Sequence, residues 1–392
     1  MPCNVTTQQQ KYLIHHNVRR FAAQLLQIRI ETLVFFSVLL TLTVSASDRP
    51  SHCEHPAIRK EWRTLSPRER TEWIAAVNCL ATLPHDESLT PVVKPSDIVG
   101  VNASGSYYDG NGICLPRFMP VAYFQTDIVY IHMDMNHKIH FTGLFLPWHR
   151  WYVQMYENAF KDKCGYKGTS PYWNWASDSN NVKMSTIFDS KSGLGGWGLP
   201  SQDVHVHDGG FGVYTAFRLS YPSHHPLRRN FTIQPFIGLP LQFFPDQELL
   251  ANSSFTPEVV HDLVYGYVGD FKGFQTSFEA FTGAHGNVHL ILGGDLGGIC
   301  PSDSTVCQPG PTFSVNGRAI FWLHHAMVDK VWYDWQNANE LKQRAFEGGS
   351  YPNGGPPNLH MDLVTTGEGM FDDFIIRDVI STTDGILCYS YE

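Results

Sequence analysis

Histidine is the residue whose spacing in this chain says most about chemistry. Six histidines form two sets of three, each spaced to bind one metal ion: His132, His140 and His149, then His285, His289 and His325. Six neutral imidazoles without a thiolate or a carboxylate suit copper or zinc, and argue against the carboxylate-rich di-iron sites of helical bundles. Two such sites in one domain predict a dinuclear centre suited to chemistry with dioxygen.

The second set begins with a pair that one helix can present to a single ion. His285 and His289 are four residues apart, so on a helix they lie on one face, one turn apart. A zinc protease of the H-E-x-x-H type has Glu directly after the first histidine, whereas this chain has Gly286. We therefore expect a metal site that lacks the general base of a metallopeptidase.

The third ligand of the second set has two candidates. His324 and His325 are neighbours and lie about 100° apart around a helix, so spacing alone does not exclude His324. Asp329 follows His325 by one turn, and we expect it to accept a hydrogen bond from the ligand imidazole.

The first set requires a break between two helices. His140 and His149 cannot share a continuous helix face, because the nine residues between them add about half a turn beyond whole turns. Pro147 starts a helix well, so we expect His149 to open a helix, His140 to lie in the irregular segment before it, and His132 to lie on an earlier helix. A further group of histidines is interpreted as structural: His52, His85, His137, His205, His207, His224, His225, His261 and His360.

Hydrophobic periodicity places these histidines on or beside helices. It predicts helices over residues 56–82, 118–135, 149–163, 257–266, 275–292 and 320–338. Residues 84–117 and 176–250 are rich in loop-forming residues, and the chain after residue 347 is expected to form loops and short strands. The predicted fold class is mainly α, with long irregular loops.

The N-terminus has the features of a secretory signal. Basic residues precede an apolar run from Leu33 to Val44 that ends in small residues. This run is shorter than the roughly 20 residues that a membrane-spanning helix needs. We predict a signal segment over residues 1–46, a catalytic domain over residues 47–392, an extracellular location and no stable membrane insertion. The net charge of −9 disfavours binding to nucleic acid.

Cysteine usage agrees with export. Seven cysteines follow residue 46 and none forms a C-x-x-C pair, so they are predicted to form disulfides rather than bind metal. Cys300 and Cys307 could close a short loop, whereas the other pairings are not predicted. Three Asn-x-Ser/Thr sequences would be glycosylation acceptors in a secreted protein: Asn102, Asn230 and Asn252.

Both histidine motifs resemble those of the tyrosinase family, the type-3 dicopper proteins that include catechol oxidases and molluscan haemocyanin. The residues similar to the copper A motif are His140, Phe145-Leu146, Trp148-His149-Arg150, Val153 and Glu157. The copper B motif is similar to Phe321-Trp322-Leu323-His324-His325 with Asp329, and in the family the second histidine of the pair is the ligand. The resemblance runs from about Cys53 to the C-terminus and is to short secreted fungal members.

The resemblance implies a tyrosinase-like four-helix bundle that holds two copper ions. Copper A would be bound by His132, His140 and His149, and copper B by His285, His289 and His325. The implied reaction uses O2 to oxidise phenolic small molecules: o-diphenols become o-quinones, and tyrosinases also hydroxylate monophenols. Glu279 corresponds to the family's glutamate that orients an active-site water, and is the candidate catalytic residue. The implied setting is the formation of pigment or of a phenolic secondary metabolite.

The chain departs from the family pattern at three places. Many tyrosinases cross-link the second copper A histidine to a cysteine where this chain has Lys138, so no thioether is expected. Many phenol-hydroxylating members have Asn where this chain has Gly286, which favours diphenols over monophenols. Arg318-Ala319 replaces Asp-Pro, which removes a helix-start proline before His325.

The C-terminus resembles the end of a tyrosinase catalytic core. Tyr389 and Tyr391 are similar to the family's Y-x-Y motif, which would meet an arginine such as Arg59. We expect no C-terminal lid domain and no activation by proteolysis. Two alternatives stay open: a non-catalytic oxygen carrier, which catechol turnover would separate, and a degenerate homologue without copper, which copper content would separate.

Overall fold

The computed structural model describes residues 53–86, 88–89, 124–219, 225–242, 244–303 and 319–392. The predicted signal segment, residues 1–46, lies outside these residues, as do Asn102, Cys307 and Arg318. Within the described ranges, no helix has the length and apolar character needed to cross a membrane.

The described residues form a mainly helical protein with a few short strands, as predicted. The helices are α1 Pro67–Leu80, α2 Phe124–Ile139, α3 Phe145–Cys164, α4 Trp175–Asp178, α5 Pro257–Tyr265, α6 Phe271–Glu279, α7 Ala284–Leu292, α8 Ala319–Asn337 and α9 Arg377–Ile380. The strands are β1 Ala57–Arg59, β2 Gly349–Tyr351, β3 Gly355–Asn358, β4 Val364–Thr365, β5 Phe374–Ile375 and β6 Tyr389–Tyr391. Each strand pairs with one other: β1 with β6, β2 with β3, and β4 with β5.

Helices α3 and α8 form the centre of the core. Tyr156 of α3 stacks on Trp322 of α8, with ring centroids 3.6 Å apart. Residues 319–329 of α8 are all buried, although they include the charged Asp329. A helix that is apolar on nearly every face belongs inside a core, and α8 therefore occupies the middle of the bundle. The other two helices that carry metal-binding candidates, α2 and α7, complete the four-helix arrangement.

Two helix boundaries follow from local sequence. At α1 the Ser66 hydroxyl accepts the Glu69 N–H and the Glu69 carboxylate accepts the Ser66 N–H, a reciprocal cap that the predicted helix start anticipated. Helix α3 begins at Phe145, four residues before the predicted start, with Pro147 in its first turn. The first turn has no partner for its N–H groups, so a proline there costs little.

Two helix predictions are wrong in part. Residues 57–64, predicted as helix, form β1 and a short 3-10 turn, because pairing with β6 and burial of Trp62 override the local periodicity. The predicted single helix over 275–292 is instead the separate helices α6 and α7. Ala280, with φ −49° and ψ 147°, ends α6 in an extended conformation. The predicted loops over 176–250 contain only α4 and short 3-10 turns in their described part.

The two ends of the described chain meet. Strand β1 pairs in parallel with β6, with Arg59 opposite Tyr391. A disulfide joins Cys53 to Cys388, and a second disulfide, Cys79–Cys164, ties α1 to α3. Cys300 is also disulfide-bonded, whereas Cys307 lies outside the described residues, so its predicted pairing stays a prediction.

Arg59 meets the two tyrosines of the C-terminal strand, as predicted. Its Nη1 donates to the Tyr391 hydroxyl at 3.3 Å and to Asp329 Oδ2 at 3.4 Å, and its guanidinium lies 3.6 Å from the Tyr389 ring centroid. Asp329 also accepts hydrogen bonds from Arg150 Nε at 2.5 Å and from the Tyr391 hydroxyl at 2.7 Å. This buried network fixes the C-terminal strand against α8, the helix that carries His325.

Candidate metal centre

The structure brings the first three predicted histidines together. His132 lies on α2, His140 follows the end of α2 directly, and His149 lies in the second turn of α3. The Nε2 atoms of His132 and His149 are 3.2 Å apart, and one ligand atom from each of the three histidines lies within 4.8 Å of the others. The predicted break between His140 and His149 is present at residues 140–144.

Backbone carbonyls orient two of these imidazoles. His149 Nδ1 lies 2.7 Å from the Phe145 carbonyl oxygen, and His140 Nδ1 lies 3.1 Å from the Asn136 carbonyl oxygen. Each carbonyl accepts the Nδ1–H, which fixes the tautomer and leaves the Nε2 lone pair for a metal.

The second cluster combines α7 and α8. The Nε2 atoms of His285 and His289 are 3.2 Å apart, and the ring of His325 lies 5.1 Å from His285 and 5.5 Å from His289, centroid to centroid. His324 belongs to the same cluster, with its ring parallel to His285 at 5.4 Å and 4.6 Å from His289. The geometry, like the spacing, keeps both neighbours as candidates for the third ligand.

The two clusters are in direct contact. The rings of His149 and His325 stack at 4.4 Å with an interplanar angle of 14°. Phe145 packs edge-on against His285 at 4.7 Å, and Phe321 packs at 4.2 Å against His325. Because α3 and α8 pack against each other, both sets of imidazoles face one shared interior space, as a dinuclear centre requires.

The histidines fit a metal in donor chemistry and in spacing. Two nitrogens that each bind one ion at about 2.0 Å lie roughly 3 Å apart, and both observed Nε2 pairs are 3.2 Å apart. Within the described part of the chain, neither ring nitrogen of His325 has a hydrogen-bond partner. A buried imidazole with two unsatisfied nitrogens is costly unless a ligand satisfies one of them.

Burial also sets the protonation of the cluster. Desolvation lowers the pKa of the imidazoles of His132, His149, His285 and His325 well below 6.5, and lowers the pKa of His140 to about 4. Neighbouring histidines lower the pKa of His132 further, since two positive rings cannot stay close together. The neutral form, which binds metal, is therefore the resident form at neutral pH.

The prediction that Asp329 orients a ligand imidazole is wrong. Both Asp329 carboxylate oxygens accept hydrogen bonds from arginine and tyrosine side chains, including Arg150 Nε and the Tyr389 hydroxyl, each at 2.5 Å. Although Asp329 lies one turn after His325, its carboxylate is fully engaged by these arginine and tyrosine side chains, and it supports the helix rather than the imidazole.

Glu279 is placed beside the first cluster by the last turn of α6. Its Oε1 accepts the backbone N–H of Phe141 at 2.6 Å, directly after His140. Phe141 has a positive φ of 57°, which a non-glycine residue adopts only at a cost. One turn earlier on α6, Gln275 Nε2 donates to the Thr142 carbonyl at 2.6 Å. Two α6 side chains thus hold the turn that presents His140.

Burial raises the pKa of the Glu279 carboxyl well above its ordinary value, and the Phe141 N–H only partly opposes this effect. The uncharged acid is therefore favoured in the folded protein. A buried carboxyl with a raised pKa that lines a cavity is a candidate for proton transfer.

A cavity of about 300 Å³ opens onto both clusters. Ring atoms of four predicted ligands form its floor: His132, His140, His285 and His289. Its walls are Asn136, His137, Phe141, Glu279, Phe281, Gly286, Leu290, Leu296, Gly297 and Pro352. His137, interpreted as structural, thus stands on the wall. No local pattern singles out Phe281, although it lies between Glu279 and His285, and Pro352 reaches the cavity only through long-range folding.

The three departures from the family pattern lie in or near the two histidine clusters. Gly286 lies on the cavity wall, in the first turn of α7. The side chain of Lys138 is exposed at the end of α2. Helix α8 begins at Ala319 without the family's proline, and still presents His325 to the second cluster.

Comparison with known proteins agrees with this arrangement. The chain is 29% identical over 413 residues to the tyrosinase-like protein phomQ1 of Diaporthe leptostromiformis, covering 94% of this chain and 89% of the relative. It is 26% identical over 376 residues to tyrosinase P of Aspergillus terreus, covering 86% and 93%. A polyphenol oxidase structure from Thermothelomyces thermophila shares the fold, with a TM-score of 0.62, 24% identity and coverage of 86% and 89%.

The family model described as the common central domain of tyrosinase matches residues 123–338, which include both clusters and Glu279. That match covers more than half of the chain. The chain therefore belongs to the tyrosinase family.

Proposed function

We propose that this protein binds two copper ions and uses O2 to oxidise o-diphenols to o-quinones. Membership of the family makes it an oxidoreductase that acts on phenols. The observation that carries the proposal is the contact between the two imidazole clusters, with His149 stacked on His325 at 4.4 Å, beneath one cavity that opens onto both.

The proposed ligands are the six histidines that family resemblance selects. Copper A would be held by His132, His140 and His149, and copper B by His285, His289 and His325. When bound, copper would pass electrons from the catechol, which is oxidised, to dioxygen, which is reduced. The chain supplies neutral imidazoles, a buried histidine floor and a cavity with mainly apolar walls.

We propose that Glu279 orients a water that exchanges a proton with the phenol hydroxyl. Burial raises the pKa of its carboxyl and so disfavours the basic carboxylate form, and Gly286 offers no side-chain amide to assist it. Both features favour catechols, whose first hydroxyl loses its proton more readily than that of a monophenol. The Phe141 N–H bond gives Glu279 a second role in holding the turn after His140.

The first test is oxygen uptake by copper-loaded protein that is offered 4-methylcatechol and 4-methylphenol side by side. We expect uptake with the catechol and little or none with the monophenol. Equal uptake with both would show that Gly286 and Glu279 do not restrict hydroxylation. A protein that holds two copper ions yet oxidises neither substrate would contradict the proposal and favour an oxygen carrier.

Copper content tests the ligand assignment. We expect His289→Ala to reduce bound copper from two ions per chain to one and to abolish turnover. His261→Ala, at an exposed position on α5, is the matched control and should keep both ions. For the neighbouring pair, His325→Asn should lose copper B, whereas His324→Asn should retain it. The reverse result would exchange the roles of these two residues.

We also propose that the protein is exported. The support is the set of disulfides, Cys53–Cys388 and Cys79–Cys164, which persist in oxidising compartments. A culture that secretes the protein should release it without residues 1–46, which mass spectrometry of the N-terminal peptide would detect.

A further inference from the structure

A row of aromatic side chains leads away from the cavity wall. Phe141 and Phe281 lie 5.0 Å apart, Phe281 and Phe244 lie 5.7 Å apart, and Phe244 and Phe236 stack at 5.5 Å, all between ring centroids. Phe236 is buried and anchors the row, whereas Phe281 is 41% exposed at the cavity. We call Phe141, Phe281, Phe244 and Phe236 the aromatic row.

The segment that carries the outer half of the row adds further apolar surface. Ile237 and Leu241, on the turn between Phe236 and Phe244, are both largely exposed. Exposed apolar side chains that continue the wall of a binding cavity mark a place where a ligand can bury its own apolar surface. Phe281, which lines the cavity and contacts Phe244, connects this apolar surface to the cavity.

The cavity wall also carries no cation to pair with an acidic substrate. Among the described residues that line the cavity there is no Lys or Arg. The polar side chains on the wall above the floor are Asn136, His137 and Glu279. A carboxylate in this space would lose its hydration without gaining a partner, which is costly. An uncharged substituent carries no such penalty.

We propose that the preferred substrates are uncharged catechols that carry an aromatic or similarly apolar substituent opposite the hydroxyl pair, and that Phe281 and Phe244 of the aromatic row bind this substituent. The inference rests on catechol oxidation at the same site. The hydroxyl pair faces the histidine floor, so a substituent on the far side of the ring points toward the mouth, where Phe281 lies. These two phenylalanines determine specificity and take no part in the redox chemistry.

Two matched substrate pairs test the proposal by steady-state oxygen uptake. The methyl ester of 3,4-dihydroxyphenylacetic acid differs from the free acid by loss of the negative charge and gain of one methyl group, and we expect its KM to be about tenfold lower. 4-Phenylcatechol differs from 4-methylcatechol by a second ring, and we expect its KM to be about tenfold lower. Equal KM values within both pairs, with catechol turnover intact, would overturn this inference and leave the proposed function standing.

Variants locate the preference in the row. Phe244→Ala should reduce the roughly tenfold preference for the phenyl over the methyl compound to about twofold. Phe281→Leu keeps an apolar side chain but removes the ring, and should also reduce the preference for the phenyl compound. This conservative variant provides the test if the alanine variant fails to fold. Tyr214→Ala removes an exposed aromatic ring outside the row and should keep the parent preference. Unchanged preference in both row variants would contradict the proposal.

Binding without turnover separates this inference from the proposed function. The dimethyl ethers of 4-phenylcatechol and 4-methylcatechol cannot form quinones, and their binding to the same protein is measured by tryptophan fluorescence. If the phenyl compound binds more tightly and this advantage is lost in Phe244→Ala, the aromatic row binds the substituent, even if the protein oxidises no catechol. Equal binding of the two ethers counts against it.

Discussion

Gly286 is the position of the cavity wall at which the backbone leaves least room for a side chain. A Cβ atom there would lie 2.8 Å from the Phe281 carbonyl oxygen and 2.9 Å from the Ala280 carbonyl oxygen. Backbone atoms cannot move aside as a flexible side chain can. The turn over residues 280–283 therefore closes the position that many phenol-hydroxylating family members fill with asparagine.

Substitution at Gly286 should therefore reduce stability before it changes chemistry. We expect Gly286→Asn to lower the free energy of unfolding by about 1–3 kcal/mol, because the 280–283 turn must shift. Gly286→Ala is the matched control, since it adds the Cβ without the amide, and should cost a similar amount. Denaturant unfolding of the metal-free proteins measures both. If the Gly286→Asn protein hydroxylated monophenols with no loss of stability, the 280–283 turn would have to be more flexible than its close contacts indicate.

The predicted glycosylation sites differ in what their side chains do. Asn252 Nδ2 donates to the Ser179 carbonyl at 2.7 Å, and its side chain is half-buried. Asn230 is exposed. We expect a secreted preparation to carry a glycan at Asn230 and none at Asn252, which glycopeptide mass spectrometry would determine. A fully occupied Asn252 would mean that the hydrogen bond to Ser179 forms only after modification or not at all.

At this scale the sequence predicted the clustering of the histidines better than it predicted their supporting residues. Histidine spacing is local within each motif, so both clusters could be predicted, whereas the choice between His324 and His325 rests on family resemblance. The strained backbone at Phe141 and its bond to Glu279 depend on a contact between residues far apart in sequence, which no local pattern encodes. The error at Asp329 has the same origin, because its arginine and tyrosine partners come from distant segments.

The break between α6 and α7 is the element whose geometry the cavity depends on. On one continuous helix, Glu279 and His285 would point about 120° apart, since six residues add about 600°, which is 120° short of two full turns. Ending α6 at Glu279 and restarting at Ala284 lets both side chains face the same cavity. Hydrophobic periodicity runs through the break, which is why a single helix was predicted there.

The packing of helix α8 in the core depends on the negative charge of Asp329. We expect Asp329→Asn to lower the free energy of unfolding by roughly 3–5 kcal/mol, because it leaves the buried guanidinium of Arg150 without its carboxylate. Glu72→Gln, which breaks the exposed Arg68–Glu72 pair, is the control and should cost less than about 1 kcal/mol. Thermal and denaturant unfolding provide the comparison. Equal effects of the two substitutions would show that the buried network around Asp329 is not a major source of stability.

The whole molecule should lose stability in mild acid when metal is absent. Desolvation holds the pKa of the cluster histidines below 6.5, to about 4 for His140. Between these values the unfolded chain binds more protons than the folded one, so the free energy of unfolding falls as the pH drops. Glu279 and Asp127, whose pKa burial raises (to about 6 for Asp127), act in the opposite direction but are fewer.

We expect the Tm of the metal-free protein to be lower at pH 5 than at pH 7 by roughly 5 °C or more. The variant His261→Gln, at an exposed position, should show the same pH dependence as the parent. A Tm that is constant or higher at pH 5 would mean that the carboxyl groups outweigh the histidines. Calorimetry on metal-free samples at both pH values is the measurement.

The fold class was predictable because helical periodicity is a local property of the long segments that form α1, α3 and α8. The pairing of β1 with β6 was not, since residues 57–59 carry no local sign of partners more than 300 positions later. The meeting of Arg59 with Tyr389 and Tyr391 was anticipated only through family resemblance. Composition and spacing therefore do not predict the pairing between the two ends of the described chain.

This closure has a consequence for damage by proteases. The Cys53–Cys388 bond encloses both imidazole clusters in one covalent ring, so a single cut in a largely exposed loop such as residues 237–242 opens the ring without releasing a fragment. A nicked molecule should migrate as one species on a non-reducing gel and as two after reduction. Its histidine floor should stay assembled, because the helices that build it remain tethered at both ends.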